Sequence, residues 1–287
     1  MENSKISSSK FILLIKGFKN WLEVQNYSEK TVKNYLASIT ELLSYLELKG
    51  DDTIDKITSN NIEQFINYLK LRPNRTRDGA LSSNSINSII RGVTKFLKYL
   101  SETKGLSLSP EITSLKSDTK EKDILTKSEI EGLFNSLDNS LNPILKRDMA
   151  ILAILYGAGL RKSEIQNLNL EDVSLTKRTI HVRNGKGNKE RLVPVAKKFN
   201  KMLKEYITDC RDIHAGIAKK VDNAFFIDIN GDRIKSDTYY DIIKRTVKDS
   251  GIESLEGKTI TPHTFRHSVA SHLLQNGLDL ESIAMFL

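Results

Sequence analysis

The 287-residue sequence is poor in the features that mark a secreted, membrane-spanning or metal-clustered protein. It has one cysteine, Cys210, so it can build neither an internal disulfide framework nor a thiolate metal cluster, and a reducing compartment suits it. No stretch approaches the roughly 20 apolar residues of a membrane span. The opening MENSKISSSK lacks the apolar core of a secretory signal, so a cytoplasmic location without membrane contact is expected. Proline and glycine are sparse in the first hundred residues, which leaves long helices uninterrupted there. No internal repeat is found.

What is present is length and positive charge. A chain this long suits two domains, each able to bury a core. Its 44 Lys and Arg against 36 Asp and Glu give +8 and a pI near 9.3. Such an excess suits a polyanionic partner but also serves solubility, so it decides nothing alone.

The first hundred residues read as four helices. The clearest runs from Ser28, an N-cap, to a stop at Gly50, with Val32, Tyr35, Leu36, Ile39, Leu42, Leu43 and Leu46 spaced as one apolar face. Thr58 caps a third helix through Leu69. A fourth opens near Ser82 or Ser83 and ends at Gly105, carrying Ile86, Ile90, Val93 and Leu97. Residues 106–122 lose this periodicity and gain Ser, Pro and Lys, as a linker would. The expected units are therefore a helical domain over 1–105, a linker over 106–122, and a second domain over 123–287.

In that second domain a short helix starts near Thr126. Met149–Tyr156, MAILAILY, is apolar on every side and so is expected to be buried, with Gly157 and Gly159 ending it. RTIHVRN and KERLVPV flank the turn GKGN, and apolar residues alternate at Ile180 and Val182, then at Val193 and Val195, which predicts a β-hairpin. Helices are expected over 196–210, 236–250 and 263–276, and a further strand pair in AFFIDINGDRI. The fold class is mainly α with a small β-hairpin or sheet, an α+β fold.

Three segments bring cationic or imidazole side chains to places where elements end or turn. In GLRKSE, Arg161 follows the glycines that stop a buried helix, though basic residues are common after helix ends and an arginine there is more often an ordinary surface or ion-paired residue. Gly157-Ala158-Gly159 is no nucleotide fingerprint, because no strand precedes it and the third glycine is missing. In the hairpin, Lys177, Arg178, Arg183, Lys186, Lys189 and Arg191 surround a single Glu190, which fits either a solvated edge ribbon or one that enters a DNA groove. In TPHTFRH, Thr261 and Pro262 begin a helix. Spacings of three and four put His263, Arg266 and His267 on one face of it, with Phe265, Val269 and Leu273 on the other. Helix N-termini favour anions, and a phosphate suits this one. Zinc does not, since no Cys or carboxylate stands at ligand spacing and Arg266 would repel the metal.

The ordered set GLRKSE, NGKGNKER and TPHTFRH resembles the catalytic domain of the tyrosine-type site-specific DNA recombinases, the integrase and Xer family. The helical region with YSEKTVKNY resembles the core-binding domain that precedes it. The resemblance implies DNA cleavage and rejoining through a 3′-phosphotyrosyl intermediate, with no metal or other cofactor. It implies a two-domain, C-shaped clamp on a double-stranded recombination site. A homotetramer on paired sites, a monomer or weak dimer off DNA, and a nucleoid-associated location follow in the same way.

Carried over by motif, Arg161 and Arg266 would hold the non-bridging oxygens of the scissile phosphate. Lys186 would protonate the departing 5′ oxygen, and His263 would assist proton transfer. Glu164 and His267 would orient these groups. Asn84, Asn87, Arg91 and Lys95, opposite an apolar stripe, and Arg183, Lys189 and Arg191, on the hairpin, are candidate DNA contacts. The family's nucleophilic tyrosine follows the HxxRH helix after one more helix and turn, whereas LDLESIAMFL runs into that next helix and the sequence ends at Leu287. None of the nine tyrosines lies there, and Tyr239 and Tyr240 precede the motif. No nucleophile is therefore assigned, and the chain as it stands is expected to bind DNA without cutting it. The alternative is an inactive DNA-binding protein descended from a recombinase. Coding sequence past Leu287 would separate the two.

Overall fold

The structure is a computed structural model. It describes residues 6–51, 53, 57–74, 78–108, 110, 112–116, 123–138, 142–183 and 190–287. The chain divides into two compact units, Met1–Lys120 and Glu121–Leu287. Among the described residues no helix is long and apolar enough to cross a membrane.

The first unit holds α1 (Ser9–Val24), α2 (Glu29–Leu48), α3 (Ser59–Leu71) and α4 (Ser83–Lys104). Ser28, Thr58 and Ser82 each accept a backbone N–H three residues on, as the N-caps the sequence predicts. Phe11, Phe18, Ile39, Leu42, Phe65, Val93 and Phe96 are among the side chains sealed in its core. Gly92 lets α4 approach α2 closely, because a Cβ there would stand 2.7 Å from that of Ser38. The stretch after α4 is not detached from this unit. Leu106, Leu108, Ile112 and Leu115 pack against the core, and the Asn87 side chain both donates to and accepts from the Leu115 backbone, at 2.8 and 2.9 Å.

The second unit is built around α6 (Pro143–Gly157), in which every residue from Met149 to Leu155 is buried. Each large aliphatic side chain so buried contributes about 2 kcal/mol. Packed on α6 are α5 (Lys127–Asp138), α8 (Lys197–Tyr206), α10 (Thr238–Ser250) and α11 (Pro262–Gln275). Between α6 and α8 come the short α7 (Lys162–Gln166) and an antiparallel sheet in the order β1 (Val173–Ser174), β2 (Thr179–Val182), β3 (Arg191–Pro194). Ile180 pairs with Val193, and both face the core as their alternation predicts. The strand β1, only two residues long, carries no such alternation and was not expected.

Two expectations need correction here. The helix predicted over 196–210 ends as an α-helix at Tyr206, widens into a π-turn at Ile207–Arg211, and continues as α9 (Asp212–Ile217). That turn brings Arg211 inward, where it donates to the carbonyls of Asp222, Ala224 and Phe225. AFFIDINGDRI forms no strand pair. It makes only the isolated bridges Asn169↔Ala224 and Ile227↔Arg233, because Asp228 accepts from the Asn230 and Asp232 backbone and turns the chain at once.

Glu129, in the first turn of α5, caps the start of that helix and joins it to the segment after α10. Its carboxylate accepts from the Thr126 N–H at 2.8 Å, Ser254 Oγ at 2.7 Å, and Lys258 Nζ at 2.7 and 2.9 Å. Burial alone would raise its pKa, but Lys258 and the other donors outweigh that and hold it at about 2. A carboxyl lowered on folding stabilises above its unfolded value of 4.5, and that stability is lost as pH falls toward 2. Glu129→Gln should therefore lose about 3 kcal/mol at pH 7. In urea unfolding the gap between parent and variant should close as pH falls below 4.5; a gap constant from pH 7 to 3 would contradict this.

Candidate active site

The site begins where α6 stops. Gly159 takes a left-handed backbone, with φ at +58°, and the buried Leu160 pins the turn to the core. Arg161 then serves as N-cap of α7, and the carboxylate of Glu164, one turn on, accepts the Arg161 backbone N–H at 2.9 Å. The guanidinium of Arg161 is thereby held at the rim, its side chain 31% exposed.

Glu164 is the hub. Its side chain is 2% exposed, yet it accepts from Arg161 Nη1 at 2.8 Å and from Arg191 Nη1 and Nη2 at 2.9 Å each. Burial pushes its pKa up, but the bonds from Arg191 and Arg161 prevail and leave it lowered, so the carboxylate is ionised. The fork from Arg191 joins the first residue of β3 to the Arg161 turn.

The third element is α11. Thr261 caps it and Pro262 occupies its first turn, as predicted. Phe265 and Val269 are buried, while His263 is exposed and Arg266 and His267 are half-buried. Arg266 donates to the Gly159 carbonyl and, through Nη2, to the main-chain oxygen of Leu287, which follows α12 (Leu280–Phe286). Arg161 Nη1 reaches that same oxygen at 3.3 Å. Two guanidinium groups from separate elements thus converge on one oxygen atom. Burial, and then the neighbouring charge of Arg161, push Arg266 down to about 10, so it stays cationic at neutral pH.

The remaining predicted residues scatter. Lys186 and Lys189 lie outside the described residues. Arg183, expected to face DNA, is instead ion-paired with Asp172 at 2.5 Å and Glu171 at 3.1 Å, because Asp172 is buried and needs a cation. Arg191 likewise turns inward to Glu164. In the first unit Asn84 and Arg91 are exposed on α4, but Asn87 is engaged with Leu115 and Lys95 lies 5.3 Å over the Tyr27 ring. A hydrogen bond with Tyr27 raises the Lys95 pKa. Of the two tyrosines singled out above, Tyr239 is buried and resists ionisation, while Tyr240 is 38% exposed beneath the ammonium of Lys162, 4.4 Å from its ring centre.

Comparison with known proteins agrees with this geometry. The phage integrase family matches residues 123–287, and the phage integrase N-terminal SAM-like domain matches residues 14–106. The chain is similar to tyrosine recombinase XerD of Oceanobacillus iheyensis, 34% identical over 278 residues that cover 94% of this chain and 87% of that protein. To tyrosine recombinase XerC of Anoxybacillus flavithermus it is 31% identical over 287 residues, covering 99% and 89%. Among solved structures, XerH site-specific recombinase bound to difH substrate shares the fold, with a TM-score of 0.70 at 20% identity over 99% of this chain and 79% of that one. The chain belongs to the phage integrase family, the tyrosine recombinases. This is a class of DNA breaking and rejoining enzymes that carries out site-specific recombination.

The inward position of Arg191, a candidate DNA contact by sequence, has a signal in the strand itself. Arg191 shares strand parity with Val193 and Val195, so its side chain starts on the core face and requires a buried carboxylate. Tyr156 and His272 belong to no sequence motif, yet their side chains meet at 2.9 Å and join α6 to the helix carrying His263 and Arg266. Burial, and then Lys127 nearby, lower the His272 pKa below 6.5. The unfolded chain therefore binds the extra proton more readily, and this contribution to stability is lost as pH falls through and below 6.5. His272→Asn should flatten the dependence of melting temperature on pH between about 7 and 5, partially, because buried His214 is shifted in the same sense. A pH profile as steep as the parent's would rule the contribution out.

Proposed function

We propose that this chain serves site-specific recombination of double-stranded DNA, with Arg161 and Arg266 holding the non-bridging oxygens of the scissile phosphate and the chain as it stands binding the site without cutting it. The observation that carries this reading is that two guanidinium groups from separate elements, α7 and α11, are brought together beside the end of α6, close enough to reach one and the same oxygen atom. Rigid guanidinium forks suit a phosphate that gains negative charge as it is attacked. In the step the family implies, a phenol oxygen bonds to phosphorus and the bond to the 5′ oxygen breaks. Lys186 gives that oxygen its proton, and His263 assists the proton leaving the phenol. Glu164 and His267 orient the cations. No nucleophile is assigned among the nine tyrosines. Arg91 and Asn84 remain as DNA contacts on α4. Assembly as a homotetramer on paired sites, with a monomer or weak dimer off DNA and work at the nucleoid, completes the proposal.

In the natural full-length gene product, Arg161→Ala and Arg266→Ala should each slow cleavage of a nicked recombination site on the order of 100-fold or more, while weakening duplex binding only modestly. Each is one contact among many to the backbone in binding, but each acts strongly on developing charge. Single-turnover cleavage at near-parental rate by either variant would remove that residue from the phosphate.

Lys186→Ala should be as slow on a normal phosphodiester but recover much of its rate on a 5′-bridging phosphorothiolate, whose sulfur leaves without a proton. An equal defect on both substrates would make Lys186 a DNA contact only.

A further inference from the structure

Arg191 does more than close the hairpin. Its Nη1 and the Nη1 of Arg161 donate to the same Glu164 oxygen, Oε1, at 2.9 and 2.8 Å. Arg191 also takes the second oxygen at 2.9 Å, whereas the Arg161 side chain takes only the first. Glu164 is therefore bound mainly by Arg191, and one side of the Arg161 guanidinium stays turned to the Leu287 oxygen. The side-chain charges in this cluster are Arg161, Arg191 and Arg266 against Glu164, and these four side chains sum to +2. Without Arg191 the buried carboxylate would be neutralised by Arg161 alone, and the net charge would fall to +1.

The field of Arg191 reaches the convergence point, since it is one of the groups that lower Arg266. Arg191 also carries a cost that packing alone would not require. Its Nε is buried without a hydrogen-bond partner among the described residues, where an apolar chain of similar length would leave no donor unmet. Against this stands the gain at the reacting phosphate. A phosphodiester carries one negative charge and moves toward two as an attacking oxygen bonds to it, so a site of +2 matches the transition state better than a site of +1.

We infer that Arg191 is a positioning residue that offsets the charge of Glu164, so that Arg161 meets the phosphate as a full cation. It never touches DNA itself. The inference rests on the phosphate reading given above for Arg161 and Arg266.

The test separates charge from mechanical support. In the full-length gene product, Arg191→Met should slow single-turnover cleavage at saturating DNA by about 100-fold, with duplex affinity little changed. Adding Glu164→Gln to that variant removes the anion as well and returns the cluster to +2. The double variant should cleave at least about tenfold faster than Arg191→Met alone, although it has lost the clamp altogether. Arg191→Lys, which keeps the charge and loses the fork, should stay within about tenfold of the parent. If the double variant is no faster than Arg191→Met, the residue is a mechanical clamp and the inference fails. Should Arg191→Met not fold, the double variant and Arg191→Lys decide the matter, since both keep +2; a loss on the order of 100-fold in both overturns it. These failures differ from failure of the phosphate reading, which shows as near-parental cleavage by Arg161→Ala.

Discussion

The buried carboxylate of Glu164 is the interaction on which the rest of the site depends. An ionised carboxyl sealed from water is costly unless cations and donors surround it, and here two arginines and a backbone N–H do so. The dependence runs the other way as well. Arg161 and Arg191 donate to one oxygen, and only the anion between them allows two guanidinium groups to sit so close. Each bond also joins elements, since Arg161 opens α7 and Arg191 opens β3. The buried ion pairs therefore set the position of the hairpin's base against the end of α6, beyond what the apolar contacts of Ile180 and Val193 require.

Around that carboxylate the unit concentrates positive charge rather than dispersing it. Arg266 leaves its ordinary range because burial and two other arginines surround it. Such a cluster is unfavourable in the folded protein taken alone, and it is held by rigid parts: a left-handed glycine, a buried leucine, a capped helix and a helix core sealed on every side. Sites that stabilise a transition state commonly carry stress of this kind, with stability supplied elsewhere in the fold.

Much of this was legible in the amino-acid sequence, and the exceptions have physical causes. Helix caps such as Ser28, Thr58 and Thr261 are local, so their side chains declare the boundary. The run Met149–Leu155 declares its burial by having no polar face. The approach of Arg161 to Arg266 was not visible in spacing, because it depends on how α6 and α11 pack, and only the resemblance to a family brought the two together. The partners of Arg183 and Arg191 were missed because a basic hairpin was read as a charged surface, although strand parity already turned Arg191 inward. Asn87 lies opposite the apolar stripe of α4, which marks it as an outward polar residue. Nothing local signals that the irregular segment after α4 would fold back to use both of its hydrogen-bonding groups.

The two rarest residues of the chain fall one in each unit. Trp21, the single tryptophan, lies against Phe18 in the first unit and donates to Glu102 at 3.1 Å. Cys210, the single cysteine, is fully buried in the second, its thiol pushed up to about 11 by that burial. Such a thiol is protonated and shielded at neutral pH, so a thiol-directed dye reaches it only when its surroundings open. Indole emission thus reports on the helical unit and dye uptake on the unit that carries the arginines. The unmodified protein carries a separate optical readout for each half.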